Sequence, residues 1–345
     1  MHAAERRTGM ENDRSFSYYL TKFLSEYLPD QYGASPNTVQ SYRDTMVQLL
    51  VFFRDCKHLR PEKLKYADFT PSVVEEFLHW LENERKISAR TRNQRLAALH
   101  SFFRYLQYRD PSGFDQCKAV LSVPYKKVPA IPMSYMSVEE VQHLFSMPDQ
   151  HENAGIRDLA ILVTLYETGA RVQELIDMCP ADIRFQKTVV AELHGKGNKT
   201  RIVPINSEAA AIIRGYICRC NRSNANEPLF VNRDGKKLSR AGIQYIVDKY
   251  VSMAREKYPG LYKTRITNPS FRHSRAMHLL EADVNLIYIR DLLGHTSVVT
   301  TEIYAKTNPK IKEEQLRKHG AAVESPDRYS KEKKEDLIDW LKKNL

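Results

Sequence analysis

Five side chains, far apart along this sequence, are of types that together can move a phosphoryl group without a metal: Arg171, Lys196, Arg272, His295 and Tyr304. Cations neutralise the non-bridging oxygens of a phosphodiester, an acid protonates the leaving oxygen, and a hydroxyl attacks phosphorus. Each residue also has a plainer reading. Tyr304 follows His295 by nine residues in DLLGHTSVVTTEIY, but it is one of 19 tyrosines and could be a packed aromatic. Lys196 stands in GKGNK, turn chemistry that hairpins use with no catalytic role. Arg171, in TGARVQEL, either projects into a cleft from a helix break at Gly169 or pairs with Glu174, three residues along one face. Arg272, in NPSFRHSRAMHLL, falls in the first turn of a helix with Asn268 as N-cap and Pro269 at the first position. There it is a cation set against the helix dipole.

The elements that must position these groups are mostly helical. Residues 1–14 read as disordered. Apolar residues then recur at helical spacing: Val39, Tyr42, Met46, Leu49 and Phe53; Val74, Phe77, Leu78 and Leu81; Leu96, Leu99, Phe103 and Leu106. This pattern predicts a helical bundle over 15–110. Pro111, Pro124, Pro129 and Pro132 mark 111–134 as an interdomain linker. A second domain over 135–320 opens on a capping signature, Ser137 before Glu139 and Glu140. It carries one hairpin, VVAELHGKGNKTRIVPI, with turn residues between β-branched arms. Further helices start near Ser239, Pro269, Asn285 and Ser297. Residues 321–345 form a tail whose last stretch, Ser330–Leu345, places Leu337, Ile338, Trp340 and Leu341 on one amphipathic helix. The fold class is mainly α with a small β-hairpin, in two domains.

Charge narrows the partner. Lysine and arginine number 53 against 42 acidic residues, a net charge of +11, which points to a polyanion, nucleic acid ahead of an anionic membrane. Arg90, Arg92 and Arg95 lie at a helix start, where an external phosphate would turn an unfavourable dipole contact into a favourable one. Lys126, Lys127, Lys199 and Arg240 are further candidate DNA contacts. No apolar run reaches the roughly 18 residues of a membrane span. The segment MHAAERRTGMENDR lacks an apolar h-region, so secretion is not expected and a cytoplasmic location is. The five cysteines read as reduced thiols. A metal site is not expected: Cys218 and Cys220 have no second pair nearby, and His273 and His278 are five apart, not the four that share a helical face.

The ordered set TGARVQEL, GKGNKTRIVP, SFRHSRAMHLL and LLGHTSVVTTEIYA resembles the tyrosine recombinases of the phage-integrase and Xer type, over about residues 15–317. The resemblance implies a helical core-binding domain joined to a catalytic domain, together a C-shaped clamp on duplex DNA. By position, Arg171 and Arg272 resemble the two catalytic arginines, Lys196 the hairpin general acid, His295 the late histidine that donates to the scissile phosphate, and Tyr304 the nucleophile. Glu174 and His273 stand as supporting residues. The implied reaction is site-specific cleavage and rejoining of DNA through a 3′-phosphotyrosyl link, for a mobile element or replicon resolution, with neither metal nor nucleotide cofactor. It also implies four protomers on two duplexes, with the tail helix docking on a neighbour.

One position departs from that pattern. Family members usually have histidine three residues before the second arginine; here Pro269 stands there, with no side-chain donor or base. Two alternatives therefore stand beside the recombinase reading: a family member that binds DNA with attenuated chemistry, and a relaxing enzyme of the type IB topoisomerase kind.

Overall fold

The computed structural model describes residues 16–129, 133–195, 199–222 and 224–307. It divides into two compact units, Met1–Ala130 and Ile131–Leu345. The expected disordered N-terminus, residues 1–14, and the tail, residues 321–345, lie outside the described residues.

The first unit is helical. Helix α1 (Phe16–Lys22) runs into a wide-turn π segment, Phe23–Gln31, followed by α2 (Pro36–Cys56), α3 (Pro71–Asn83) and α4 (Ala89–Arg109). The sequence explains their starts. Ser35, Thr70 and Ser88 are extended N-cap residues whose hydroxyls accept from the backbone N–H three residues on, and prolines open α2 and α3 where no N–H is needed. The anticipated apolar stripes meet in one core: Met46, Leu49, Phe53, Val74, Phe77, Leu78, Leu81, Leu96, Leu99, Phe103 and Leu106 are all buried. Phe16, Phe69 and Phe102 complete it with stacked and edge-on contacts.

The expected linker is shorter than 111–134. Pro111–Gly113 form one helical turn and α5 follows over Phe114–Leu121, burying Cys117 and Val120 in the same core. Pro111 opens a helical turn here instead of breaking one. Asp110 accepts from the N–H of Ser112 at 3.1 Å, which caps that turn.

The second unit begins with α6 (Val138–Phe145), whose N-cap Ser137 and Glu140 satisfy each other's backbone N–H at 3.1 and 2.7 Å. Buried helix α7 (Asn153–Thr168) ends at Gly169, where a left-handed φ of 56° turns the chain into α8 (Val172–Asp177). Strands β1 (Ile183–Arg184), β2 (Val190–His194) and β3 (Thr200–Pro204) form an antiparallel sheet in the order β1-β2-β3, with His194 opposite Thr200. Thus the anticipated hairpin has a short third strand beside it. Helices α9 (Ser207–Arg219) and α10 (Arg240–Lys257) cover the core, α11 (Asn268–Glu281) packs against α7, and α12 (Leu286–Leu293) and α13 (Val298–Thr307) pack on α11 and on each other. The cap of α11 is Thr267, one residue earlier than expected: its backbone is extended and its N–H donates to Ser270 Oγ at 3.0 Å. Among the described residues, no helix is long and apolar enough to cross a membrane.

Two glycines test this packing in opposite directions. A Cβ on Gly155 would lie 1.9 Å from the Asp149 carbonyl oxygen, whereas one on Gly215, inside α9, meets nothing within 4 Å. Gly155→Ala should cost about 1–3 kcal/mol through overpacking against backbone. Gly215→Ala should gain about 0.5–1 kcal/mol from helix propensity. Urea unfolding of both variants checks the pair; equal shifts would contradict the packing described.

Candidate active site

The C-terminal end of α12 gathers the site. The last carbonyls of a helix have no partner within it and carry partial negative charge. Here three consecutive carbonyls each receive a guanidinium. Arg201 Nε donates to Leu292 O at 2.8 Å, Arg272 Nη2 to Leu293 O at 2.5 Å, and Arg171 Nη2 to Gly294 O at 3.5 Å. Gly294 allows this end because it takes a left-handed φ of 64°. The other arm of Arg272 donates to Gly169 O at 2.8 Å, so the two helix ends that need glycine share one arginine.

Arg272 is 7 % exposed. Burial, then the charges of Arg171 and Arg201, push its pKa down to about 10, so it stays charged at neutral pH. Arg171 is the N-cap of α8. Its Nη1 donates to Glu174 Oε1 at 2.8 Å and its backbone N–H to Glu174 Oε2 at 2.8 Å. The pairing read as an alternative to projection into a cleft therefore exists, and Arg171 also lines a cleft of about 380 Å³ with Lys199, Arg201, Gly294, His295 and Thr296. Burial pushes the Glu174 carboxyl up, but hydrogen bonds from Arg201 and Arg171 outweigh it and hold it below the usual carboxylate range.

His295 directly follows the helix end. Its Nδ1 lies 2.9 Å from the hydroxyl of the fully buried Thr301. A threonine that donates to Nδ1 leaves the ring hydrogen on Nε2. Burial, then the arginines Arg272, Arg171 and Arg201, push the His295 pKa down to about 4, so the ring is neutral. Tyr304, on α13, is 2 % exposed. Its hydroxyl is 3.0 Å from His273 Nδ1, and its ring lies parallel to His295 at 6.5 Å between centroids. Burial raises the phenol pKa, opposed by Arg272 and Arg171, and burial with Arg272 keeps His273 low. A neutral imidazole with a free lone pair can take a phenolic proton.

Arg171, Glu174, Arg272, His273, His295 and Tyr304 are thus brought together. Lys196 lies outside the described residues; Gly195 and Lys199, which flank its turn, line the cleft and close it with a 2.8 Å backbone hydrogen bond. Exposed Arg240 donates to Gln173 Oε1 at 2.9 Å. In the first unit, Arg90 and Lys127 are exposed, while Lys126 and the half-buried Arg92 both face Glu82, at 2.7 and 3.7 Å. Arg95 is used internally instead of standing free: its Nη1 donates to Ser41 O and Thr45 Oγ1, both at 3.0 Å, tying α4 to α2.

Two residues of the site escaped the sequence reading, Arg201 and Thr301. Both had a signal in the period of their element. Arg201 is two residues beyond Lys199, which a strand turns to the same face, and Thr301 is one helical turn before Tyr304.

Residues 134–310 match the Phage integrase family, and residues 20–110 match the Phage integrase N-terminal SAM-like domain. A chain described as an integrase/recombinase, y4rC of Sinorhizobium fredii, is 35 % identical over 309 residues, covering 90 % of this chain and 93 % of that one. Tyrosine recombinase XerC of Syntrophus aciditrophicus is 32 % identical over 297 residues, covering 83 % and 92 %. Among solved structures, the XerH site-specific recombinase bound to palindromic difH substrate, in a post-cleavage complex, superposes with a TM-score of 0.66. Its identity is 20 %, over 86 % of this chain and 83 % of that one, a likeness of fold.

The lowered histidine sets a pH dependence. As pH falls, the unfolded chain protonates His295 near its ordinary value of about 6.5, whereas the folded protein holds it neutral to about 4. The unfolded state binds more protons in that window, so stability is fully present above it and is lost as pH falls through it. His100, His273 and His278 shift in the same direction. His295→Gln should therefore lose less stability than the parent between about pH 7.5 and about pH 5, measured by urea unfolding. Equal losses would rule out a neutral, half-buried His295.

Proposed function

The chain belongs to the phage integrase family of tyrosine recombinases, DNA strand-transfer enzymes, and from that premise we propose that it cleaves and rejoins specific DNA sites through Tyr304. One observation carries the residue-level reading: Arg171, Arg272, His295 and Tyr304, remote in sequence, meet at the end of α12 beside an open cleft. The Tyr304 oxygen attacks phosphorus and its proton passes to His273 Nδ1. The bond from phosphorus to the 5′ oxygen breaks, and Lys196 protonates that oxygen as it leaves. Arg171 and Arg272 stabilise the charge gathering on the non-bridging oxygens, and His295 donates from Nε2. The 3′-phosphotyrosyl ester stores the bond energy, so a 5′-hydroxyl from another strand reverses the step. Pro269 removes one expected histidine. The 3.0 Å approach of His273 to the phenol supports a working proton acceptor over an attenuated DNA-binding protein.

The assembly that fits this reading is a tetramer on two DNA sites, working on cytoplasmic DNA. Ile287 and Tyr288 of α12, with Val299 and Ile303 of α13, offer exposed apolar area near Tyr304 for a neighbouring subunit. In the first unit, Arg90 and Lys127 are the candidate phosphate contacts, while Arg95 fits an internal role.

A nicked duplex that traps the covalent intermediate tests the chemistry. Tyr304→Phe should bind this substrate as the parent does and form no adduct; adduct at the parent level would overturn the assignment. Arg171→Ala and Arg272→Ala should slow trapping by about 10²-fold or more, with much smaller changes in Kd. Parallel losses in rate and Kd would make them phosphate anchors only. Binding itself should fall steeply with salt as counterions are released, and a flat salt response would argue against a wrapped duplex.

A further inference from the structure

We propose that Arg201 is a positioning residue for strand transfer, holding Arg171 and the His295 segment in one rigid frame. The inference rests on the roles proposed above for Arg171 and His295. Arg201 leaves β3 beside the hairpin turn, and its side chain is 10 % exposed. Its guanidinium works in two directions at once. Nη1 and Nη2 form a fork on Glu174, at 3.0 Å to Oε1 and 2.7 Å to Oε2, while Nε donates to Leu292 O at 2.8 Å. Glu174 in turn holds Arg171 by both its side chain and its backbone. One side chain therefore links β3, α8 and the end of α12, and the backbone leading to His295 is packed onto it. A Cβ added to Gly294 would lie 3.0 Å from Arg201 Cδ and 3.4 Å from its Nε.

Only arginine matches this geometry. A planar fork satisfies both carboxylate oxygens and leaves Nε for the carbonyl, whereas the single ammonium of lysine cannot span them. The fork also keeps Arg171 available. Glu174 is the one carboxylate bonded to these arginines among the described residues, and each of its oxygens accepts from both Arg171 and Arg201. Without Arg201 the carboxylate draws Arg171 toward itself, in competition with a substrate phosphate. The Leu292 carbonyl also loses its donor, which frees the turn that presents His295.

The test uses the full chain, the nicked trapping duplex and three variants. Arg201→Lys keeps the charge and loses the fork. Arg201→Ala loses both. Arg201→Ala with Glu174→Gln restores the net charge without restoring the frame. All three should trap DNA about 10–10²-fold more slowly per folded molecule, the order expected for misplaced catalytic groups. Kd for intact duplex should move by no more than about twofold, since the cation removed is not a phosphate contact. In Arg201→Lys the rate should also fall off at a higher pH than in the parent, because Glu174 loses the Arg201 hydrogen bonds that help keep it ionised. Near-parental trapping by Arg201→Lys, or by the double variant, would overturn the frame and leave a charge effect. A loss confined to melting temperature, with normal trapping by the folded fraction and an unmoved pH profile, would reduce Arg201 to a fold contact. Tyr304→Phe is run alongside. Adduct from that variant would unseat the function proposed above, whereas parental rates in the Arg201 variants with an inert Tyr304→Phe would unseat this inference alone.

Discussion

Three guanidiniums converge on three consecutive carbonyls at the end of α12 and its cap, with one carboxylate among them, and the site depends on how that charge is held. Buried cations ordinarily require paired anions. Here the end of a helix supplies part of what a second carboxylate would: its unpartnered carbonyls and the negative end of its dipole stabilise nearby cations. The compensation is incomplete at Arg272. Arg272 is almost wholly buried yet hydrogen-bonded to neutral carbonyls, a cation that is desolvated with no carboxylate bonded to it.

Burial acts first on the neighbouring groups, and this charge acts with it or against it. It helps hold His295 and His273 neutral, which suits one to donate a hydrogen bond and the other to accept a proton. It also opposes the burial that raises the Tyr304 phenol. The negative charge of a phosphodiester would offset the same field and shift both rings toward easier protonation. The helix end is thus a scaffold and an electrostatic device together.

Much of this was legible in the sequence because it depends on local rules. Ser137 marks a helix start, Gly169 marks a helix end, and the turn residues of GKGNK mark the hairpin. The chemically active residues stood out by type. What escaped depends on packing between distant segments. Arg201 shares a motif with Lys196, but its value comes from Glu174 and Leu292, which only the fold brings near. Arg95 looked like a basic surface residue because its partners, Ser41 and Thr45, lie on another helix. Helix α5 was hidden by prolines on either side of it. A proline read alone does not tell whether it breaks a helix or opens one.

Pro269, where the family resemblance led to the expectation of a histidine, is locally sound. At the second position of α11 its missing N–H deprives the helix of nothing, since the first turn has no acceptor for it. The fixed proline φ stiffens the start of the helix that carries Arg272 and His273. Stiffness matters more than usual there, because Arg272 must reach Gly169 and Leu293 at once while His273, the next residue, meets the Tyr304 hydroxyl. Consecutive helical residues point about 100° apart, so a small rotation of α11 would break one of these contacts as it improved the other. A rigid first turn favours keeping both, so a proline at position 269 gives a firmer hold on Arg272 and His273 in the place where a histidine was expected.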